Sequence, residues 1–204
     1  MALSKSSNFI QGLIASYFEQ LYVRPIRTKA LTSCFISASG NLIAQYIGGA
    51  KMIDQDSVIA FGLFGLLFGG PVPHFFYQFL DKLVPYHSNH VLIKQLFIER
   101  LLFTPLYQYF VLYTISRFQG KSHKEACKER DELYWTLLKA NLHVLTLVQF
   151  VNLKYVHPML RVLVGNLVGF FWIIYFAHKK QAVSKAAAAA ARKKKIGPSA
   201  KIVS

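Results

Sequence analysis

The chain has 204 residues, of which 53% are hydrophobic and 15% aromatic, while only 16% are charged. This composition is too apolar for an ordinary soluble domain and predicts one membrane domain without a soluble catalytic domain attached to it. The formal net charge of +15 is not accompanied by a nucleic-acid-reading module, so that the basic residues indicate a membrane surface and exclude a nucleic-acid partner.

Residues 1–29 are predicted to form an amphipathic helix. Apolar residues recur at helical spacing from Phe9 to Leu21, with polar residues between them. The helix is expected to end near Arg24-Pro25, because proline lacks the backbone donor that a helix needs. It could lie on the membrane surface or cap the remaining helices, and both interpretations stay open.

Four apolar segments follow, and we predict that each of them crosses the membrane. The spans are expected at about residues 30–50, 57–80, 92–116 and 157–178. The predicted fold class is therefore all-α integral membrane, with four transmembrane helices plus amphipathic interfacial helices, and the membrane domain covers residues 30–178.

Polar residues recur every three or four positions within these spans, so that each set shares one helix face. The sets are Ser33, Ser37, Asn41 and Gln45 in the first span, His74, Tyr77, Gln78 and Asp81 after Gly70-Pro71 in the second, and Arg100, Thr104 and Gln108 in the third. Each face could be a wetted wall or a set of interhelical hydrogen bonds, which contribute about 0.6 kcal/mol apiece. Their presence on several helices favours water inside the bundle.

The third span carries two adjacent charges, Glu99 and Arg100, and contains Pro105. Neighbouring residues on an α-helix do not face each other, and Glu99 and Arg100 are therefore predicted to pair with other helices. Residues 117–133 are expected to be a charged loop with a short surface helix. Residues 134–154 are apolar but interrupted by polar residues, and they predict an interfacial or re-entrant helix.

The segment from Gln149 to Tyr175 is the most informative, because Gln149, Asn152, Arg161 and Asn166 are set into an apolar run. A charge at bilayer depth costs about 2.5–3.5 kcal/mol or more and normally faces a partner or water. Arg161 could line a pore and favour anions, or it could tie two helices together through Glu99 or a backbone carbonyl.

Residues 179–204 are predicted to be a basic, low-complexity, exposed tail. An even number of spans puts both termini on one side of the membrane, and the excess of Lys and Arg on that side predicts the cytosol. The basic run at residues 192–195 is typical of a solvated tail, with a membrane-targeting signal as the alternative.

No motif of an enzyme, a phosphate loop or a dinucleotide site is present, and neither a catalytic activity nor a cofactor is expected. The histidines lack the spacing of metal ligands, so that no metal site is predicted. Cys34 and Cys127 are far apart in the sequence and do not suggest a disulfide framework.

Three groups of residues together resemble a known family. They are Gly70-Pro71 with His74, Tyr77 and Leu80; Lys94, Glu99, Arg100 and Pro105; and Trp135, Asn141, Gln149, Phe150, Asn152, Arg161, Asn166, Trp172 and Tyr175. At these positions the chain is similar to the Mpv-seventeen / peroxisomal membrane protein 2 family of small four-span organellar membrane proteins. The likeness covers roughly residues 15–178 and is greatest to the peroxisomal membrane protein 2 branch.

The resemblance implies a peroxisomal membrane pore with weakly selective passage of small solutes and metabolites, linked to the metabolism of reactive oxygen species. The alternatives are a non-conducting structural or scaffold protein and a mitochondrial inner-membrane channel of the same family. Expected partners are membrane lipid, small-solute cargo, a second copy of the chain and a cytosolic import receptor for membrane proteins. The candidates for pore lining or helix ties are Asn41, Gln45, His74, Glu99, Arg100, Gln108, Gln149, Asn152, Arg161 and Asn166.

Overall fold

The computed structural model describes residues 2–85, 87 and 89–196, and within these residues it is built from helices without any strand. The helices are α1 (Ala2–Val23), α2 (Pro25–Ile47), α3 (Gln55–Phe64), α4 (Pro71–Leu83), α5 (Val91–Ile98), α6 (Thr104–Phe118), α7 (His123–Tyr155) and α8 (Arg161–Ile196). The predicted all-α class is confirmed. Residue 1 of the predicted N-terminal segment and residues 197–204 of the predicted tail lie outside the described residues.

Two π-helical turns join four of these helices into two longer rods. The turn Gly65–Gly69 connects α3 to α4, and the turn Glu99–Phe103 connects α5 to α6. Each turn ends two residues before a proline, Pro71 or Pro105, whose ring would collide with the carbonyl four residues earlier in a regular α-helix. The wider turn accommodates the proline, and both rods continue without a break.

Helix α7 corrects the prediction for residues 117–154. The expected surface helix and the expected re-entrant helix form one helix of 33 residues, from His123 to Tyr155. Ser122 and Glu125 form a capping box that starts the helix, and no proline or glycine follows before Pro158. The polar residues that suggested a break therefore do not interrupt it.

Five helical segments of the described chain run between two ends of a bundle: α2, the rod α3–α4, the rod α5–α6, α7 and α8. We call the end near Leu83, Val91, Tyr155 and Arg161 the proximal end, and the end near Ile47, Gln55, Phe118 and His123 the distal end. Helix α1 joins at the proximal end, and α8 continues past the distal end. Helix α7 thus adds a fifth pass along the bundle.

The packing is closest where α2 meets the first rod and α8. A Cβ on Gly70 would lie 2.5 Å from the carbonyl oxygen of Lys29, and a Cβ on Gly40 would lie 3.1 Å from Ile173. Glycine at these positions lets the backbones approach, as in other membrane helix pairs. Apolar side chains fill the distal half of the core: Phe61, Phe64, Leu112, Ile115, Leu133, Leu137 and Phe176.

Many polar residues are buried in the described part of the chain, and many large apolar residues are exposed. Arg161 is 2% exposed, whereas Phe35, Leu106 and Phe171 are each more than 70% exposed. By length and composition, one described helix, Gln55–Leu83, qualifies to cross a membrane, and Arg161–Phe176 is a shorter apolar helix. Four crossings therefore remain a prediction.

Candidate functional site

A cavity of about 260 Å³ lies inside the bundle, between the two rods, α7 and α8. Its wall on α8 extends from Arg161 to Phe176, which is about 22 Å of helix. Apolar residues form most of the distal wall, and charged and amide residues form the proximal wall. The cavity therefore follows much of the length of the bundle.

Glu99 and Arg100 form an ion pair with each other in the cavity wall, which corrects the prediction that they pair with other helices. The Arg100 guanidinium donates to both carboxylate oxygens of Glu99, with Nη2 2.7 Å from Oε1. The π-helical turn changes the angle between successive side chains and brings these neighbours together. Thr104, five positions after Glu99, also donates to its Oε1 at 3.2 Å.

The same pair connects the second rod to α7. Arg100 Nη1 donates to Oδ1 of Asn141 at 3.0 Å, and the Asn141 amide reaches Oε1 of Gln108 at 3.5 Å. Arg100 and Gln108 thus approach α7 together. Asn141 was outside the candidates, although it stood among the residues that carried the family resemblance.

Arg161 is tied at the proximal end by several acceptors. Its Nη1 lies 3.1 Å from Oδ1 of Asp81 on α4, and its remaining nitrogens donate to the carbonyls of Val156 and Leu153 at 3.4 and 3.3 Å. Gln95 donates to the same Asp81 oxygen at 3.1 Å. The carboxylate partner is thus Asp81 and not Glu99, and Asp81 shares the helix face that His74 and Tyr77 occupy.

A chain of amides connects Arg161 to the middle of the cavity. Asn152 Nδ2 lies 3.4 Å from both the Arg161 carbonyl and Oε1 of Gln149. Gln149 Nε2 in turn donates to the hydroxyl of Tyr77 at 2.8 Å. Ser33 of α2 donates to Oδ1 of Asn166 on α8 at 3.1 Å.

Three candidates lie away from this cavity. Gln45 bonds to Asn41 at 2.8 Å and to the backbone of Asp54 at 3.0 and 2.7 Å, which fastens the loop between α2 and α3. Lys29 Nζ lies 2.9 Å from Nδ1 of His74, and since an ammonium only donates, that nitrogen is the acceptor. These contacts hold helices and loops together.

The other seven candidates line the cavity: Glu99, Arg100, Gln108, Gln149, Asn152, Arg161 and Asn166. Tyr77, Asn141 and Trp172 also line it and were not candidates. Aromatic residues are ambiguous in a sequence, because they serve equally as membrane anchors and as core. Each charged side chain of the wall is bonded to an opposite charge, so that the interior is polar but close to neutral.

An all-helical bundle with an apolar outside and a polar, charge-paired interior belongs to the class of integral membrane helical bundles. The chain is a member of the Mpv17 / PMP22 family, whose model matches residues 116–177. This assignment confirms the resemblance found in the sequence.

Relatives match over most of the chain. Peroxisomal membrane protein 2 of Bos taurus is 32% identical over 171 residues, which cover 80% of this chain and 87% of the relative. Peroxisomal membrane protein PMP22 of Arabidopsis thaliana is 30% identical, covering 83% and 90%. Mitochondrial inner membrane protein Mpv17 of Caenorhabditis elegans is 26% identical, covering 79% and 90%. No solved structure gives a significant match.

The names of these relatives confirm the predicted location in the peroxisomal membrane, with the mitochondrial inner membrane as the alternative. The side of the membrane on which the termini lie stays a prediction.

Proposed function

We propose that this protein is a pore that lets small solutes cross the organelle membrane with weak selectivity. The observation that carries the proposal is a cavity along the bundle axis whose largely apolar wall contains buried amides and paired charges, between helices whose outer surface is apolar. A membrane anchor has no need of buried amides and paired charges, since polar groups at bilayer depth are costly.

The distribution of side chains on α2 supports more crossings than average hydropathy suggests. Its polar residues Ser33, Asn41 and Gln45 are at most 3% exposed, whereas Phe35 and Ile47 are 74% and 64% exposed. The polar residues lower the mean hydropathy of the helix, but the surface that would meet lipid is apolar. We propose that α2 crosses the bilayer as the two rods do.

The paired charges favour weak charge selectivity. Glu99 neutralises Arg100, and Asp81 neutralises Arg161. The anion preference expected from two arginines alone should therefore be small, and passage should depend mainly on solute size.

Reconstitution tests the proposal directly. Purified protein in planar bilayers should show discrete current steps with small organic ions, and the steps should disappear above a size limit. A variant with Glu99 and Arg100 both changed to glutamine retains polar side chains and should keep the size limit. Silence from folded wild-type protein in several preparations would contradict the pore.

A specific observation favours the second candidate, a non-conducting structural protein. The cavity ends distally against packed apolar residues, among them Phe61, Phe64 and Phe176. A pore would have to open at this cluster. We also propose membrane lipid and a second copy of the chain as partners of the exposed apolar faces.

A further inference from the structure

Two buried polar atoms of the cavity wall have no partner in the described part of the chain. They are Oδ1 of Asn152 and Nδ2 of Asn166. Asn152 is 2% exposed, and both residues line the cavity. A buried amide atom without a hydrogen bond is unfavourable, so that water or a solute is needed at each position.

The orientation of the Asn152 amide follows from its neighbours. The carbonyl oxygen of Arg161, 3.4 Å away, can only accept a hydrogen bond. The NH₂ group of Asn152 must therefore face it, which leaves Oδ1 as the unpaired atom. Exchanging the two amide atoms would place an oxygen against an oxygen, so the free acceptor is a property of the site.

The hydrogen bonds that begin at Asn152 continue to Tyr77, and each residue donates to the next. Asn152 donates to Oε1 of Gln149, and Gln149 donates through Nε2 to the Tyr77 hydroxyl. Among the described residues, the proton of that hydroxyl has no acceptor. The chain of bonds thus presents an acceptor at Asn152 and a donor at Tyr77, and Asn166 offers a second donor.

The wall also restricts the charge and size of a ligand. Arg100 and Arg161 have carboxylate partners, so that no uncompensated charge attracts an ion. Val148 and Trp172 add apolar surface. The volume of about 260 Å³ exceeds the ~150 Å³ that holds a benzene molecule in an engineered cavity.

We propose that Tyr77, Asn152 and Asn166 form a binding subsite for small neutral hydroxylated solutes, such as three- or four-carbon polyols. The hydroxyls of a polyol both donate and accept, so that they match an acceptor at Asn152 and donors at Tyr77 and Asn166. A carboxylate only accepts and would leave Asn152 unpaired, whereas an ammonium only donates and would leave Tyr77 and Asn166 unpaired. As a position on a permeation path, the subsite rests on the proposed pore.

Binding can be measured without permeation. The chain has two tryptophans: Trp172 lines the cavity, and Trp135 is 64% exposed. In the Trp135→Phe protein, the fluorescence of Trp172 should change saturably with erythritol and less with butyrate, a four-carbon carboxylate that has no hydroxyl. A substitution that removes one hydrogen bond to erythritol should raise its dissociation constant about three- to tenfold.

Two variants and one control make the measurement specific. Tyr77→Phe removes a single oxygen and preserves the ring, so that it tests the subsite even if Asn152→Leu does not fold. Both variants should weaken erythritol binding. Leu147→Ala changes a residue of the same helix as Asn152 that is 71% exposed, and it should have no effect. Equal responses to erythritol and butyrate in every variant would show that water alone satisfies these atoms and would overturn the proposal.

Solute flux into liposomes separates the subsite from the pore. Faster entry of erythritol than of butyrate, slowed by Tyr77→Phe, supports both. Saturable binding without flux supports the subsite and overturns the pore. Flux that ignores the chemistry of the solute and is unchanged in Tyr77→Phe overturns the subsite and supports an unselective pore.

Discussion

The proximal half of the bundle connects its helices through polar side chains, whereas the distal half packs aromatic and aliphatic ones. In the proximal half, Asp81, Glu99, Arg100 and Arg161 form two ion pairs. In the distal half, the Phe61 and Phe176 rings lie 5.6 Å apart. Lipid is as apolar as a leucine side chain, so that helices in a membrane associate through packing and hydrogen bonds. In this protein, hydrogen bonds and ion pairs hold the helices together in the proximal half, and close packing of apolar side chains does so in the distal half.

The largest expected effect is the loss of the Arg161 connection. Arg161→Met leaves Asp81 without its cationic partner and frees backbone carbonyls at the proximal end. Removing one member of a buried ion pair typically costs about 3–5 kcal/mol. Unfolding by denaturant in detergent micelles should report a loss of this size.

Lys128→Met is the matched control, because its pair with Glu132 is long at 4.0 Å and has side chains that are 76% and 42% exposed. It should change stability by less than about 0.5 kcal/mol. The structure thus predicts that changing Arg161 affects stability first, whereas the sequence alone left open whether Arg161 lines a pore or ties two helices together. If Arg161→Met and Lys128→Met have the same free energy of unfolding, the buried ion pair does not stabilise the proximal half, and the contrast between the two halves is wrong.

Phe61→Ala probes the distal half. Phe61 is 2% exposed within the aromatic cluster, and its truncation should cost roughly 3 kcal/mol. If the cluster closes the pore, the same variant should also increase the single-channel current. Phe35→Ala, at a position that is 74% exposed on α2, should leave the current unchanged. A folded Phe61→Ala protein with wild-type current would place the barrier elsewhere.

Gly70→Ala tests the close approach between the first rod and α2. The added methyl would meet backbone atoms of Lys29 and Ala30 at 2.5–2.6 Å, and backbone cannot move aside as a flexible side chain can. Overpacking of this kind costs about 1–3 kcal/mol. Gly12→Ala, which meets nothing within 4 Å in helix α1, should be neutral or slightly stabilising in the same unfolding measurement.

Ser122→Ala has the smallest expected effect, about 1 kcal/mol, because it removes only the cap of α7. Ser122 accepts from the backbone of Glu125, and Glu125 accepts from the hydroxyl and backbone of Ser122. Thermal unfolding of purified protein should show a small shift. If Ser122→Ala lowers the unfolding temperature as much as Arg161→Met does, the stability of α7 depends on its cap and not on packing.

The capping box also predicts a pH dependence. The hydrogen bonds from Ser122 hold the pKa of the Glu125 carboxyl below its usual value. Since the folded-state pKa is depressed, this contribution is present above the unfolded pKa of about 4.3 and is lost as the pH falls through the folded value. The difference between wild type and Glu125→Gln should therefore shrink in acid.

Much of the architecture followed from local pattern. Helical spacing of polar residues identified buried faces, and Ser33, Asn41 and Gln45 are indeed buried together. The end of the first helix near Pro25 was predictable, because proline acts through its own backbone. Seven of ten candidate residues line one cavity, since a polar residue in an apolar span usually faces the interior.

The prediction for Glu99 and Arg100 was wrong because it assumed the geometry of a regular α-helix. Glu99 and Arg100 pair because a π-helical turn changes their relative direction, and that turn is a response to Pro105. Helix α7 was divided in the prediction because its polar residues were attributed to a membrane interface. Its partners Arg100 and Tyr77 come from other helices, which no local pattern reveals.

The sequence by itself determined the class, the family and the faces that would be buried, because hydrophobic periodicity and residue spacing are local properties. Only the tertiary structure decided which charges neutralise each other, which amides are left with unpaired atoms and where the interior is closed. Those outcomes depend on contacts between residues far apart in the chain, such as Asp81 with Arg161 and Ser33 with Asn166. A hydrogen bond acts over about 3 Å, and its partner is fixed only when the helices are packed.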